Sequence, residues 1–225
     1  MLAMDSRGYS LRADIAFCVA NRRVVFLNLA TARYFALSPT LDAAFQRTMQ
    51  SEMAEPTDIA QLVEAGLMSQ DFQPRRSHSA PNLPTPTRDI PCVTRSNTKR
   101  LLAHCILAQL MAARRLRRRT LIDTVRWICQ RRTLLSDRIS ANSEGQWPKI
   151  AGAFLATHML RINSDHCLTS SLAALDVGLS LSADAQLVFG VYPSPFSAHS
   201  WLQAGDTVLN DRVEYVRTFT PIMAV

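Results

Sequence analysis

The sequence lacks several features that mark common classes of protein. Its 225 residues contain only five cysteines, and no two of them are spaced as C-x-x-C. This spacing argues against a disulfide framework and against a structural zinc site. No basic flank, apolar run and small-residue cleavage site open the chain, so no secretory signal is expected. We therefore expect a protein of the reducing cytoplasm that holds no metal ion.

Long apolar runs and glycine-rich loops are also missing. The longest apolar stretch, 101–113, is interrupted by His104 and Gln109 and is too short to span a bilayer, so no membrane partner is expected. No G-x-x-x-x-G-K-S/T loop that would cradle phosphates occurs. Because 48% of the residues are hydrophobic, the chain can still bury the core of one large or two small domains.

Positive charge is concentrated in one part of the chain. The formal net charge is +7, and the segment 88–132 contains twelve Lys or Arg residues against two acidic residues. Its densest part, Arg114–Arg119, fits either a nucleic-acid contact or a solvated helix end, where cations interact favourably with the helix dipole. One short run is weak support for a specific partner, so the helix end is favoured and a nucleic-acid partner is disfavoured.

The first seventy residues have the pattern of a small module. Three short apolar segments predict strands, at 15–19, 24–29 and 33–37. The first two flank Ala20–Arg23 and predict a hairpin. Helix-start signals followed by apolar residues at helical spacing occur at 38–40 and 56–58, and Gly66 predicts the end of the second helix. The module, residues 1–72, is therefore predicted to be winged-helix-like.

The composition changes after this module. Five prolines among Ser, Thr and Arg predict an extended linker over 73–97. Helical spacing then predicts four helices, at 99–116, 120–131, 148–160 and 166–175. Strand patterns follow at 185–191, 199–203, 207–210 and 216–220. Helices followed by strands predict an α+β domain over 98–225.

Cys167 is the cysteine best placed for chemistry. It begins a predicted helix two residues after Asp165, which is a favourable N-cap residue. A thiol in the first helical turn lies at the positive end of the dipole, which lowers its pKa toward a reactive thiolate. The other cysteines lack comparable downstream partners and are interpreted as inert: Cys18, Cys92, Cys105 and Cys129.

His199 and Asp211 are the predicted partners of this thiol. They lie at equal distances from Gly205, so a three-residue hairpin loop centred there would place them directly opposite each other. A two-residue loop would shift the register by one and separate them onto opposite faces. Asp211 would fix the imidazole tautomer while the other ring nitrogen takes the thiol proton. Taken singly, His199 could instead be a half-buried histidine and Asp211 a turn residue.

Two further details of the predicted site follow from helix geometry. His166 is a poor base for the adjacent Cys167, because neighbouring residues on a helix do not face one another. The main-chain amide of Cys167 is the natural oxyanion donor, and the sequence does not identify a second one. The order Cys–His–Asp is that of papain-like thiol hydrolases.

Four segments together resemble the B protein of lasso-peptide biosynthesis: Cys167–Leu168, Phe189–Val191, Pro195–Trp201 and Val208–Asp211. This family joins a precursor-recognition domain, a winged-helix unit similar to the pyrroloquinoline-quinone chaperone, to a papain/transglutaminase-like cysteine peptidase domain. Tyr34–Ser38 is similar to the family's strand that ends in an aromatic residue, a small residue and Leu. One departure is Thr169-Ser170, where the family often has Pro-Arg.

The resemblance implies a leader peptidase of ribosomal precursor peptides. Cys167 would be the nucleophile, His199 the general base and then acid, and Asp211 the orienting carboxylate. The enzyme would remove the leader during lasso peptide maturation and would work with an asparagine-synthetase-like lactam synthetase. Some members of the family are described as needing ATP, and no intrinsic cofactor is expected here.

The resemblance also implies where the leader of the precursor peptide binds. The leader would add a strand beside 33–37 and pack onto the second helix. The implied contacts are Arg33, Tyr34, Phe35, Ala36, Leu37, Ile59 and Leu62. Two alternative functions remain at this point. One is acyl or amide transfer by the same site, and the other is nucleic-acid binding by a basic winged-helix protein.

Overall fold

A computed structural model describes residues 9–50, 55–70, 78–79, 82–90, 98–135, 145–158 and 167–225. Within these ranges the chain forms a mixture of helices and sheets. None of the helices in the described ranges is long and apolar enough to cross a membrane.

The N-terminal module, residues 9–70, begins with strands and continues with helices. Its elements are β1 (Tyr9–Leu11), β2 (Ile15–Ala20), β3 (Arg23–Asn28), β4 (Arg33–Ala36), α1 (Pro39–Gln50), α2 (Pro56–Glu64) and β5 (Met68–Gln70). The predicted hairpin is confirmed, because β2 and β3 pair antiparallel along their length. Asn21 and Arg22 both have positive φ, the geometry of a two-residue turn between twisted strands. The third strand and both helices are also confirmed, while the likeness to a winged helix stays a prediction.

The end of α2 shows why Gly66 is glycine. Gly66 has a φ of +70°, and its amide donates to the carbonyl of Val63. The amide of Leu67 donates to the carbonyl of Leu62 at 3.0 Å. These two bonds form a Schellman motif, which places a left-handed residue just after the helix. The predicted helix end is therefore confirmed.

The main sheet of the module is covered on both faces. Its strand order is β4-β3-β2-β6, where β6 is His78–Ser79. Phe17 and Phe26 face one side and meet Phe45 of α1 edge to face, with ring centroids 5.0 Å apart in both contacts. Ala16 and Leu27 face the other side and are fully buried in a core shared with the C-terminal part of the chain. The module is thus packed firmly against the rest of the protein.

The C-terminal part carries helices first and strands afterwards. Its elements are β7 (Arg88–Asp89), α3 (Lys99–Arg118), α4 (Leu121–Leu135), α5 (Trp147–His158), α6 (Cys167–Ser180), β8 (Gln186–Pro193), β9 (Phe196–Ala204), β10 (Thr207–Val208), α7 (Val213–Val216) and β11 (Thr220–Ala224). The strands form one sheet in the order β11-β8-β9-β10-β7. The four predicted helices and the order of helices before strands are confirmed within the described ranges.

The predicted linker 73–97 is packed where the structure describes it. β6 lies parallel to β2, and β7 lies parallel to β10. The side-chain amide of Gln203 donates to the carbonyl of Pro84 at 2.7 Å, and Arg88 forms an ion pair with Asp206 at 2.6 Å. The segment is extended, as expected, but it is not a free spacer, because both sheets supply pairing partners. The boundaries 1–72 and 98–225 stay predictions.

The predicted strand at 216–220 is wrong in its placement. Residues Val213–Val216 form a short helix instead, and the strand begins at Thr220 and runs to Ala224. The helix starts where the amide of Val213 donates to a carboxylate oxygen of Asp89. Val216 and Phe219 are buried in the same small core. Either a helical turn or a strand can place apolar side chains in such a core. The local pattern therefore could not distinguish the two.

Candidate active site

Cys167 is the first described residue of α6, as the sequence predicts. The predicted N-cap Asp165 and the rival base His166 lie outside the described residues. The thiol is partly accessible, and the next residue, Leu168, packs against the large core. The sulfur is thus held at the positive end of a helix that is anchored by its apolar face.

His199 lies on β9 between the thiol and Asp211. Its Nε2 is 2.6 Å from Oδ2 of Asp211, and the two side chains are 13% and 24% exposed. The second carboxylate oxygen accepts the main-chain amide of Arg212 at 2.8 Å, which fixes the plane of the carboxylate. Because Nε2 is taken by Asp211, Nδ1 remains for the thiol of Cys167, to which the His199 side chain is hydrogen-bonded. The structure therefore brings the three predicted side chains together.

The way in which His199 meets Asp211 differs from the prediction. Thr207 pairs with Ala204 and Val208 with Gln203, so the loop has two residues, Gly205 and Asp206. The prediction that a two-residue loop separates His199 from Asp211 is wrong. Regular pairing ends soon after Val208, so the alternation of faces no longer applies to Asp211.

The side chain of Asn210 ends the regular pairing of this segment with β9. Its Oδ1 accepts the main-chain amide of Leu202 at 2.7 Å, in place of a carbonyl of the neighbouring strand. The chain is then free to bend, and Asp211 turns back toward His199. The side chain of Asn210 thus replaces a main-chain hydrogen bond between the strands, just before the chain bends and brings Asp211 toward His199.

A buried hydrogen-bond chain joins the three elements that carry the site. Nδ2 of Asn210 donates to Oγ of Ser171 at 2.8 Å, and Ser171 Oγ donates to the carbonyl of Ser200 at 3.1 Å. Ser171 is fully buried one helical turn after Cys167, and Ser200 follows His199 directly. The chain therefore fixes α6, β9 and the bend before Asp211 relative to one another. The sequence shows Ser171 only as a residue on the Cys167 face of the helix, which is a weak signal.

Aromatic rings hold the His199 imidazole in place. The ring of Tyr215 meets it edge-on at 5.0 Å, and the ring of Phe219 lies 5.3 Å away. Gly190, which pairs with His199 across the sheet, makes room for this arrangement. A Cβ atom at Gly190 would lie 2.7 Å from the ring of Trp201 and 2.9 Å from Phe219. Gly190 is part of the segment that carries the family resemblance, but no sequence pattern indicates this packing role.

The surroundings favour a charged thiolate–imidazolium pair. Burial opposes ionisation of the thiol, but hydrogen bonds from His199 and Ser200 and the charge of His199 outweigh it and lower the pKa of Cys167 to about 7. Burial also opposes a charged imidazole, but the hydrogen bonds and negative charges of Asp211 and Cys167 raise the pKa of His199 to about 9. Both groups are therefore charged between these values.

The other cysteines that the structure describes differ from Cys167. Burial raises the pKa of Cys18 to about 12 and that of Cys105 to about 11. Cys129 is exposed on α4, and Cys92 lies outside the described residues. Burial thus makes Cys18 and Cys105 inert, in agreement with the sequence interpretation.

Tyr34 of the N-terminal module lies beside the thiol site. It packs against the large core, and its ring centroid is 5.6 Å from that of Phe196, a residue of β9 that is 55% exposed. Burial raises the pKa of Tyr34, and the charge of Cys167 raises it further. The strand that is expected to bind a leader therefore contacts β9, the strand that carries His199.

The predicted leader contacts fall into two groups. Arg33–Ala36 form β4, whose outer edge pairs with no other described strand, and Leu37 follows it with its side chain half-buried. Ile59 and Leu62 of α2 are only 6% and 0% exposed. Their apolar spacing reflects the core of the module, so a direct contact of these two side chains with a peptide does not fit this structure.

The arrangement is suited to nucleophilic attack on a carbonyl carbon. A thiolate forms a covalent acyl intermediate, and the adjacent imidazolium can protonate the leaving group. The main-chain amide of Cys167 is placed at a helix start, where it can donate to an oxyanion. Within the described residues, no group of three or more His, Cys, Asp and Glu side chains is arranged to hold a metal ion.

Comparison with known proteins gives two matches and one negative result. Residues 106–224, more than half of the chain, match the family model of the transglutaminase-like superfamily. The chain is also similar to the microcin J25-processing protein McjB of Escherichia coli, with 40% identity over 63 residues. That match spans 28% of this chain and 30% of the length of the relative. No solved structure matches significantly.

The acidity of Cys167 can be measured through alkylation. We expect the rate of its reaction with iodoacetamide to rise with pH around a midpoint of about 7. In His199→Ala the midpoint should move up toward 9.0, the usual thiol value, because the hydrogen bond and charge that lower the pKa are lost. Peptide mapping by mass spectrometry follows each cysteine separately. Cys129 is the internal control, and a midpoint for Cys167 that is the same in both proteins would contradict the assigned ion pair.

Proposed function

We propose that this chain, which belongs to the transglutaminase-like superfamily, is a cysteine peptidase that removes the leader from a ribosomal precursor during lasso peptide maturation. The observation that carries the proposal is the thiol of Cys167 at the start of α6, hydrogen-bonded to an imidazole that a carboxylate holds at 2.6 Å. The similarity to the microcin J25-processing protein supports the choice of substrate class. Because the precursor is made by the ribosome, we place the reaction in the cytoplasm.

The proposed reaction proceeds through a thioester. The thiolate of Cys167 attacks the carbonyl carbon of the last leader residue, and the main-chain amide of Cys167 donates to the oxyanion. His199 transfers its proton to the leaving amine, which is the first residue of the core peptide. The now neutral imidazole takes a proton from water, whose oxygen attacks the thioester carbon and releases the leader as a carboxylic acid. Asp211 keeps the imidazole oriented through both steps.

Leader binding is proposed to occur on the open edge of β4. A peptide that adds a strand there would gain main-chain hydrogen bonds along Arg33–Ala36. Tyr34 joins this strand to the thiol site, since its ring contacts Phe196 on the strand that carries His199. The end of a leader held on β4 would therefore lie within reach of Cys167. Contact with α2 would have to use its exposed residues, such as Val63, which is 38% exposed.

Partners and cofactors follow from the same reaction. Cleavage frees the amine of the core peptide, which is the group that a lactam synthetase would join to a side-chain carboxylate. The thioester chemistry uses only side chains of this protein and water, so we expect no intrinsic cofactor. ATP, where it is required, would then act at a step other than the reaction of the thiol.

Acyl transfer is the second candidate function, because the same thioester can be attacked by an amine instead of water. The superfamily name allows this second outcome. Cys167 and Asp211 are partly exposed, so water can reach the thioester. Nucleic-acid binding is less well supported, since Arg114–Arg119 lie at the end of α3 and not on a helix of the N-terminal module.

The experiment that tests the proposal is product analysis of a lasso-peptide precursor after incubation with this protein. We expect mass spectrometry to show a leader that ends in a free carboxylate and a core peptide with a free amine. A reaction in water enriched in ¹⁸O should place one heavy oxygen on the leader. A leader amide joined to an added amine, with no ¹⁸O-labelled acid, would show transfer instead.

A shortened substrate tests the proposed use of β4. A precursor that keeps only the last few leader residues cannot pair along β4, so its kcat/KM should fall by about tenfold or more. The free leader added in excess should inhibit cleavage of the full precursor, because both would occupy the edge of β4. Equal kcat/KM values for the two substrates would contradict leader recognition by this protein.

A further inference from the structure

A cavity of about 590 Å³ lies between α3, α4 and α6, away from the proposed thiol site. Its volume is in the range of small-molecule binding sites. Leu172 and Asp176 of α6 line it, and Asp176 lies roughly 13 Å from Cys167 along the helix axis. The cavity is thus a separate feature of the same helix and does not belong to the proposed peptidase chemistry.

The cavity has an apolar lining and a basic rim. The apolar lining residues are Ala108, Met111, Ala112, Trp127 and Leu172. The rim is formed by Arg114, Arg115, Arg118, Arg119 and Arg126. The end of α3 supplies most of these arginines, where the helix dipole interacts favourably with cations. The basic run at the end of α3, for which the sequence favours a solvated helix end, therefore lines a cavity.

The two carboxylates of the cavity pair with Arg126 and with Arg131 and leave the other rim arginines without an ion pair among the described residues. Asp123 is 3.6 Å from Arg126, and Asp176 pairs at 2.6 Å with Arg131. Both acidic side chains of the lining are thereby engaged. The other four rim residues have no carboxylate within ion-pair distance in the described part of the chain: Arg114, Arg115, Arg118 and Arg119.

One of the four arginines is held in position before any ligand arrives. The guanidinium of Arg115 lies over the ring of Trp127, 4.2 Å from its centroid. Burial lowers the pKa of Arg115, and the positive charge of Arg119 lowers it further. The charge of Asp176 offsets part of this effect, and a bound anion would relieve the remaining repulsion between Arg115 and Arg119.

We propose that this cavity binds an oligophosphate, a chain of two or more linked phosphate groups. Four unpaired guanidinium groups match the three to four negative charges of such a chain better than the charge of one phosphate. Guanidinium groups bind phosphate oxygens through paired hydrogen bonds, so four arginines at the end of α3, one of them held by Trp127, suit this ligand. Binding would use side chains, in a protein that has no glycine-rich phosphate loop. The ligand is either inorganic or the phosphate chain of a nucleotide.

Isothermal titration with tripolyphosphate, ATP and inorganic phosphate tests the proposal on the full chain. We expect saturable binding of tripolyphosphate in the micromolar range, much weaker binding of phosphate, and an affinity that falls steeply with added salt. The double variant Arg114→Gln, Arg118→Gln should weaken tripolyphosphate binding by about tenfold or more. Both side chains are exposed, so the fold should be kept.

The matched control removes the same charge elsewhere. Arg100→Gln with Lys149→Gln alters two exposed cations on α3 and α5, outside the cavity lining, and should leave the affinity unchanged. ATP binding that is tighter than tripolyphosphate binding would identify a nucleotide, and equal affinities would identify the phosphate chain alone. The proposal is overturned by absent tripolyphosphate binding, by an equal loss in the control, or by tighter binding of hexaglutamate, which would indicate an acidic peptide.

Discussion

Replacing Cys167 with alanine is expected to reduce leader cleavage by at least about 1000-fold while precursor binding stays unchanged. The proposed reaction requires a covalent bond to the sulfur, and Cys167 is the only described thiol that shifts the pKa of His199. Cys18 and Cys105 are buried, with pKa values raised to about 12 and about 11. Cleavage is measured by mass spectrometry of the precursor over time, and binding by fluorescence anisotropy of a labelled leader.

Two comparisons make the Cys167 result specific. Cys129→Ala removes an exposed thiol from α4 and should keep full activity. The melting temperature of Cys167→Ala should stay close to that of the wild type, because the thiol is small and lies at the start of a helix. Cleavage by Cys167→Ala at the wild-type rate would rule out this residue as the nucleophile. A loss of activity in both cysteine variants would point to a general effect on the fold.

The sequence predicts the elements of the site better than their geometry. α6 and β9 carry long, regular apolar patterns, so their positions and the placement of Cys167 and His199 on them could be predicted. The contact between His199 and Asp211 depends on a loop of two residues and on the side chain of Asn210. Loop length and a single side-chain hydrogen bond leave no periodic signal, so the correct pair was predicted from the wrong register.

Contacts between distant segments were the other feature that the sequence could not give. β7 pairs with β10, and the side chain of Asp89 accepts a hydrogen bond at the start of α7. Proline-rich composition predicts extended structure there, but it does not reveal a partner more than a hundred residues away. Similarly, the spacing of Ile59 and Leu62 predicts an apolar face on α2 and does not distinguish a core from a peptide-binding surface.

Asp211→Asn is expected to reduce the rate of cleavage by at least about 100-fold with little change in leader binding. The carboxylate holds Nε2 of His199 at 2.6 Å, and its charge helps to raise the imidazole pKa to about 9. Without the charge, this pKa falls, so the imidazole becomes neutral at lower pH and the thiolate loses its cationic partner. The rate of cleavage should therefore begin to decline with rising pH well below pH 9, which is measured as a pH profile of kcat/KM.

Asp206→Asn is the matched control, because it makes the same chemical change in the adjoining hairpin loop. Asp206 pairs with Arg88 at 2.6 Å and takes no part in the proposed reaction, so its variant should keep both the rate and the pH profile. A purely structural role of Asp211 would lower activity equally at every pH and would leave the alkaline limit of the profile in place. Only a carboxylate that acts through His199 moves that limit, because only this role couples the charge of Asp211 to the proton on the imidazole.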